Sequence, residues 1–173
     1  LDGEVTMQGL VMGIGLGLAA AACACTLLAA LASAIAGARR RRQAPDARAP
    51  MPAVSVLKPL CGHEPGLYQQ LHSICVQDYP NFQIVLGLQN PHDSALPAVR
   101  LLKYQFDALD IDCVIDATRH GANAKVSNLI NMLPRCRHDL LVMADSDIQV
   151  PPDYLARVLA PLADPTVGLV TCP

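Results

Sequence analysis

The run Asp139-Leu140-Leu141-Val142-Met143-Ala144-Asp145-Ser146-Asp147 stops at two acids one residue apart. Five uncharged residues between polar flanks have the length and composition of a buried strand in a parallel sheet, so the acids fall where that strand ends. Open α/β sheets bind their ligands at the carboxyl ends of the strands. Carboxylates at i and i+2 of a strand end can face the same way and offer hard oxygen ligands to a divalent cation, which in turn holds the phosphates of a nucleotide. The competing reading is a solvated loop with a helix-capping acid, and an isolated Asp-x-Asp does not choose between the two.

The flanking sequence supplies the context. Residues 54–57 form a strand pattern broken by Pro59, and Leu67, Leu71 and Ile74 mark one face of a helix that ends before Asp78-Tyr79-Pro80. A second strand follows at 82–88 and a second helix at 96–106, with Ser94 placed to cap it. The third strand is 111–115, and Val126, Leu129, Ile130 and Leu133 outline the third helix. Beyond Asp147 come a fourth helix at 154–162, behind Pro151 and Pro152, and a fifth strand at 167–171. Strands alternating with helices at this spacing predict an α/β fold, a parallel sheet with helices on both faces.

The N-terminal part is of another kind. Residues 9–37 carry no charge, and only Thr26 and Ser33 interrupt a run of Ala, Leu, Gly, Cys, Val, Ile and Met. About 20 apolar residues suffice to cross a bilayer, and a cleaved signal peptide would have a shorter apolar core with its basic residues in front. Here Arg39-Arg40-Arg41-Arg42 come behind, so the segment is predicted to be a transmembrane helix with its C-terminal side in the cytoplasm. Gly9, Gly13 and Gly17 recur every four residues, the spacing of a helix-helix contact face, although an alanine-rich span presents such spacings without a partner. Residues 38–52, basic and then proline-rich, form a linker, and 53–173 the α/β domain.

Composition excludes several classes. The 173 residues hold one ordinary domain and an appendage, and a net charge of -2 with its arginines bunched in one place argues against a nucleic-acid partner. Cys23, Cys25, Cys61, Cys75, Cys113, Cys136 and Cys172 contain no C-x-x-C pair and no histidine at zinc spacing, and are expected to be reduced, mostly buried thiols. A Walker A loop, a G-x-G-x-x-G fingerprint after the first strand and a G-x-S-x-G elbow are all missing. Candidate ligands therefore come from strand ends: Lys58 after the first, Asp93 after the second, Lys125 and Asn128 on the third helix, Asp145 and Asp147 after the fourth. Singly, Asp93 caps a helix, Lys125 sits in water and Asn128 lies on a polar helix face; jointly, all six belong to one edge of one sheet.

Four runs, Val54-Ser55-Val56-Leu57-Lys58-Pro59-Leu60-Cys61-Gly62, Gln77-Asp78-Tyr79-Pro80, Asn123-Ala124-Lys125-Val126-Ser127-Asn128-Leu129 and Asp145-Ser146-Asp147, resemble the nucleotide-sugar half of the ceramide glucosyltransferase family. The Lys-Pro-Leu-Cys-Gly start is most similar to the bacterial hopanoid-biosynthesis glycosyltransferases. The resemblance extends over 54–173 and implies a GT-A (Rossmann-like) domain, a UDP-sugar donor, a divalent metal such as Mg2+ or Mn2+, and inversion at the anomeric carbon. It assigns Asp93 to the uridine side of the donor and Asp145 to the metal and diphosphate. Asp147 takes the second acid of the D-x-D, where ceramide glucosyltransferases often lack one, and Lys125 and Asn128 lie in a run near the donor. The family's third Asp, its catalytic base, and its Q-x-x-R-W motif have no counterpart in these residues, which contain no Trp. No catalytic residue is thus assigned here; the base is expected beyond Pro173, and the chain alone is expected to transfer no sugar.

The expected parent is a membrane-anchored glycosyltransferase acting on a lipid hydroxyl. Ten arginines against three lysines suggest G+C-rich bacterial coding, hence a hopanoid acceptor and the bacterial inner membrane. A sphingolipid acceptor is one alternative, and a non-catalytic, membrane-tethered nucleotide-binding module is another; a downstream Asp and Arg-Trp in the full reading frame would separate enzyme from module. The topology is directly testable. Reporters fused after Pro52 should be active only in the cytoplasm, and activity confined to the periplasmic side would overturn the orientation.

Overall fold

The computed structural model describes residues 2–42, 51–62 and 64–172, and within the first helix it describes the side chains at 12, 13, 15–35 and 37. The chain divides into two compact units, Leu1–Ala44 and Pro45–Pro173.

The first unit is one helix, α1 (Asp2–Arg42). Its stretch Gly15–Ile35 has a mean hydropathy of 2.2 and buries nothing within the chain. Leu16, Leu18 and Leu28 are all exposed and, at 100° per residue, lie around the axis and not along one stripe, so the helix is long and apolar enough to cross a membrane and has no single apolar face. The hydroxyls of Thr26 and Ser33 donate back to the carbonyls of Cys23 and Ala29, each at 2.8 Å, so neither is left unmet in an apolar medium. Residues 38–42, expected in the linker, continue the helix; 43–50 of that linker lie outside the described residues. Nothing stands within 4 Å of a Cβ built on Gly13 or Gly17.

The second unit alternates β1 (Val54–Pro59), α2 (Leu67–Cys75), β2 (Phe82–Leu88), α3 (Leu96–Gln105), β3 (Asp110–Ile115), α4 (Ala124–Met132), β4 (Leu140–Met143) and α5 (Tyr154–Leu159). The four strands are parallel, in the order β3-β2-β1-β4. Burial follows that order. The central strands β1 and β2 are covered on both faces and are apolar nearly throughout, whereas β3 and β4 are only partly covered. One face packs Val54, Val56, Ile84, Leu86 and Val142 against α2, α3 and α5; the other packs Leu57 and Val85 against Met132 of α4.

Several expectations are corrected. Residues 167–171 pair with no strand and Leu169 is 78% exposed, so no fifth strand is present among the described residues: this short apolar run lacks a neighbour to complete a ladder. The strand leading to Asp145 is not buried but an edge, with Met143 65% exposed beside Leu57 on the face that α4 covers only over the inner strands. On α4, Val126 and Ile130 face out, as does Leu133 just beyond it, while Ser127, Asn128 and Met132 are buried, because the helix is seated on β2 by a polar contact that apolar periodicity does not reveal. Ser94 does not cap α3, whose N-cap is Ala95 and which has no side-chain cap; Asp93 closes the turn before the helix by accepting from the amide of Ala95 at 2.9 Å. The fourth helix gives way to a 3-10 turn at Ala160–Ala163, which contains Pro161. The cysteines are free as expected but not mostly buried: only Cys75 is, since Cys23 and Cys25 lie on the uncovered α1 and Cys61 and Cys172 in loops.

The seat of α4 is Gly87. Asn128 donates to its carbonyl at 2.9 Å, and a Cβ built there would lie 2.5 Å from Asn128 Oδ1 and closer still to Met132 Sδ. Gly87→Ala should therefore lift α4 from the sheet and cost about 1–3 kcal/mol in denaturant unfolding followed by circular dichroism. Unaltered stability would contradict this packing.

Candidate functional site

Growth of the sheet reverses between β1 and β4: β2 and β3 extend it to one side, and β4 returns to the other. The crevice outside the carboxyl ends of β1 and β4 is thereby a topological switch point, where ligands of open α/β sheets bind. Lys58 leaves β1 into this crevice and Asp145 follows β4. Lys58 is buried, and its Nζ donates to the main-chain carbonyl of Asp145 at 2.6 Å. Burial pushes its pKa down to about 8, while Asp145, Asp147 and Glu64 pull it back up, so the amine keeps its proton at neutral pH. These acids supply the opposite charge that offsets part of the cost of its burial.

Asp145 and Asp147 are exposed, and Ser146 between them donates to Glu64 Oε2 at 2.9 Å. The Asp145 carboxylate is paired with Lys125, which stands in the first turn of α4. That turn is set by Asn123, whose side chain accepts from the amide of Val126 at 3.2 Å. The preceding loop is tied to the helix as well: Asn131 donates to the carbonyls of Asp116 and Thr118, and Ser127 Oγ accepts from the amide of His120. Both partners of the Lys125–Asp145 pair are about half exposed, with 54% and 53% of their side chains accessible, so solvent screens it and it contributes at most about 1 kcal/mol. A ligand can displace it at little cost.

Asp93 lies at the same edge, after β2. Both its carboxylate oxygens accept from the amide of Gly62, at 3.0 and 3.1 Å, while Oδ1 also accepts from the amide of Ala95 in the turn before α3. Gly62 has a φ of 75, a left-handed conformation that glycine adopts without strain, and this is the physical content of the Lys-Pro-Leu-Cys-Gly run. Asn128 differs from the other five candidates. It is 3% exposed, bonds Gly87 and leaves Oδ1 unpartnered, so it secures α4 and does not face the crevice solvent. The structure thus gathers Lys58, Lys125, Asp145 and Asp147 at the switch point, sets Asp93 at the neighbouring strand end, and withdraws Asn128 into packing.

Sequence reasoning missed Glu64, which lies in a loop without periodicity or spacing to mark it. The Gln77-Asp78-Tyr79-Pro80 run serves the site indirectly. Gln77 bonds the carbonyl of Pro151 and the amide of Leu155, the Asp78 amide bonds Pro152, and Ser73 accepts from Val150, which anchors the segment after the D-x-D to α2. A groove of about 440 Å³ between α2 and that segment is lined by Tyr68, His72, Val76 and Val150 and includes none of the candidate ligands.

No group of three His, Cys, Asp or Glu side chains poised to hold a metal occurs among the described residues. Two exposed carboxylates with open surroundings nonetheless fit a hard cation that keeps waters and completes its coordination with substrate phosphates. They do not fit a closed structural zinc site.

A parallel sheet with helices on both faces and paired acids at its switch point has the architecture of the GT-A class of glycosyltransferases. The structure superposes on a mannosyltransferase from Pyrobaculum calidifontis, PcManGT, solved in complex with GDP-Man and Mn2+, with a TM-score of 0.65 and 30% identity over 78% of this chain and 41% of that one. Residues 18–173 match the model of glycosyl transferase family 21, and the chain belongs to that family. Curated relatives include ceramide glucosyltransferase 1 of Caenorhabditis elegans, 30% identical over 60% of this chain and 22% of its own length, and the ceramide glucosyltransferase of Komagataella phaffii, 27% identical over 60% of this chain and 21% of its own. The chain thus spans about a fifth of the length of these relatives.

Removing Asp93 tests its local part independently of any ligand. Asp93→Ala should cost about 1–2 kcal/mol of stability by freeing the amides of Gly62 and Ala95, and Asp93→Asn, which keeps one acceptor, distinctly less. Equal losses in denaturant melts would contradict this role.

Proposed function

We propose that these residues form the donor-binding part of a membrane-anchored glycosyltransferase that moves a sugar from a nucleotide sugar to a lipid hydroxyl. The observation that carries the reading is the convergence of Asp145, Asp147, Lys58 and Lys125 at the switch point of a family 21 chain. Asp145 and Asp147 would hold a divalent cation, Mg2+ or Mn2+, which when bound supplies Lewis-acid stabilisation of the leaving diphosphate. Lys125, freed from Asp145, is placed to meet the diphosphate, and Asp93 orders the loop beside the uridine side of a UDP-sugar. No described acid is assigned the role of base toward the acceptor.

The finer points belong to the same proposal. Residues 9–37 anchor the protein in a membrane, the bacterial inner membrane on our reading, with 53–173 in the cytoplasm where nucleotide sugars are available. A second helix would pack on the Gly9, Gly13 and Gly17 face. The acceptor we favour is a hopanoid and the sugar glucose or N-acetylglucosamine, on the strength of the Lys-Pro-Leu-Cys-Gly run. A sphingolipid acceptor is supported by the names of the curated relatives, and competition between the two lipids in one transfer assay would choose between them.

Asp145→Ala in the full-length protein should lower metal-dependent transfer at least about 100-fold, because charge stabilisation of the leaving group is worth several kcal/mol. Its melting temperature should stay near wild type, since only an exposed ion pair is lost. Transfer at the wild-type rate would overturn the metal-site reading. Asp147→Ala should lose less.

A further inference from the structure

Lys58 is the one buried lysine of three; Lys103 and Lys125 are exposed. Taking an ammonium out of water is costly unless it is bonded, and this one spends a short bond, 2.6 Å, on a main-chain carbonyl, although carboxylates lie nearby. The carbonyl belongs to Asp145, so the bond fixes the peptide plane that joins Asp145 to Ser146. A second tie acts one residue on, where Ser146 Oγ donates to Glu64 Oε2 at 2.9 Å. Both ties originate from the end of β1 and the loop after it. They grip the backbone and the central residue of the D-x-D while leaving its two carboxylates uncommitted to β1.

We propose that Lys58 is a positioning residue of the cation site: by holding the Asp145 carbonyl it sets the relative direction of the Asp145 and Asp147 carboxylates, with Glu64 acting on Ser146 as the second tie. The proposal rests on the reading of those two acids as cation ligands. It differs from an effect of charge alone in the sign of its consequence. A cation removed from beside two carboxylates would, through space, let Mn2+ bind more tightly, whereas a ligand pair released from its support binds it more weakly.

The test is a titration of the full-length protein in nanodiscs with Mn2+ alone, with free Mn2+ read by electron paramagnetic resonance and melting temperature recorded in parallel. Lys58→Met, which keeps the volume and removes the ammonium, should weaken Mn2+ binding about 10-fold or more. Ser146→Ala should weaken it about threefold with an unaltered melting temperature, and it decides the question if Lys58→Met does not fold. Unchanged or tighter binding in a folded Lys58→Met protein, or wild-type affinity in Ser146→Ala where the first variant fails to fold, overturns the positioning role. Asp145→Ala separates the two levels. If it binds Mn2+ as wild type does, the cation site itself is wrong and the proposal falls with it; if it loses Mn2+ while Lys58→Met does not, only the positioning role fails.

Discussion

The structure depends on how β1 holds β4. The two strands are adjacent in the sheet yet separated in sequence by two other strands and three helices, and only four residue pairs join them in parallel register. So short a ladder at a sheet edge is weak on its own. Polar side chains of β1 secure it at both ends. At the entrance, Ser55 accepts from the amide of His138 at 3.2 Å and donates to Gln83, which in turn binds the carbonyl of Arg135 and the amide of Arg137. At the exit, Lys58 binds the carbonyl of Asp145. Ser55 and Gln83 at the centre of the entrance network are buried and their bonds are mutually satisfying, the condition under which a polar cluster specifies register without an unpaired group. The acids after β4 are therefore located by β1 more than by their own strand.

That arrangement explains what the sequence discloses and what it withholds. The central strands, buried on both faces, are mostly apolar, and the helix α2 that covers them shows a clear stripe at Leu67, Leu71 and Ile74. Strand number through β4, their parallel sense and the edge that carries the acids were all legible from this contrast. Edges were not. An apolar run such as 140–144 looks the same whether its cover is present or not, and 167–171 has strand composition without a partner to make it one. The α4 face was misjudged for a different reason: a helix seated by Asn128 on a glycine has its apolar residues elsewhere.

At the site, the residues named from strand ends were legible because charge at the end of an apolar run is conspicuous. Their division of labour was not. Asn128, expected near the donor, bonds the main chain of Gly87; Lys58, expected at a strand end, bonds the main chain of Asp145; Glu64 gave no signal. Each depends on which group lies opposite across the crevice, and that is a property of strand order, not of local pattern. The site is also nearly balanced in charge without a ligand, since Lys58 and Lys125 stand among Glu64, Asp145 and Asp147. Only the Lys125 contact is exposed enough to be exchanged readily.

The close seat of α4 carries a consequence for variation. Gly87 and its two neighbours, Asn128 and Met132, share one small volume between sheet and helix, so a side chain gained at one position must be given up at another. These positions are far apart in sequence, and any library that samples them independently will consist chiefly of clashes and voids. Drift at this contact should proceed through paired changes, for example Ala at 87 together with a smaller residue at 132, and a homologous chain that departs from glycine here should show the compensating loss on its third helix of the α/β domain.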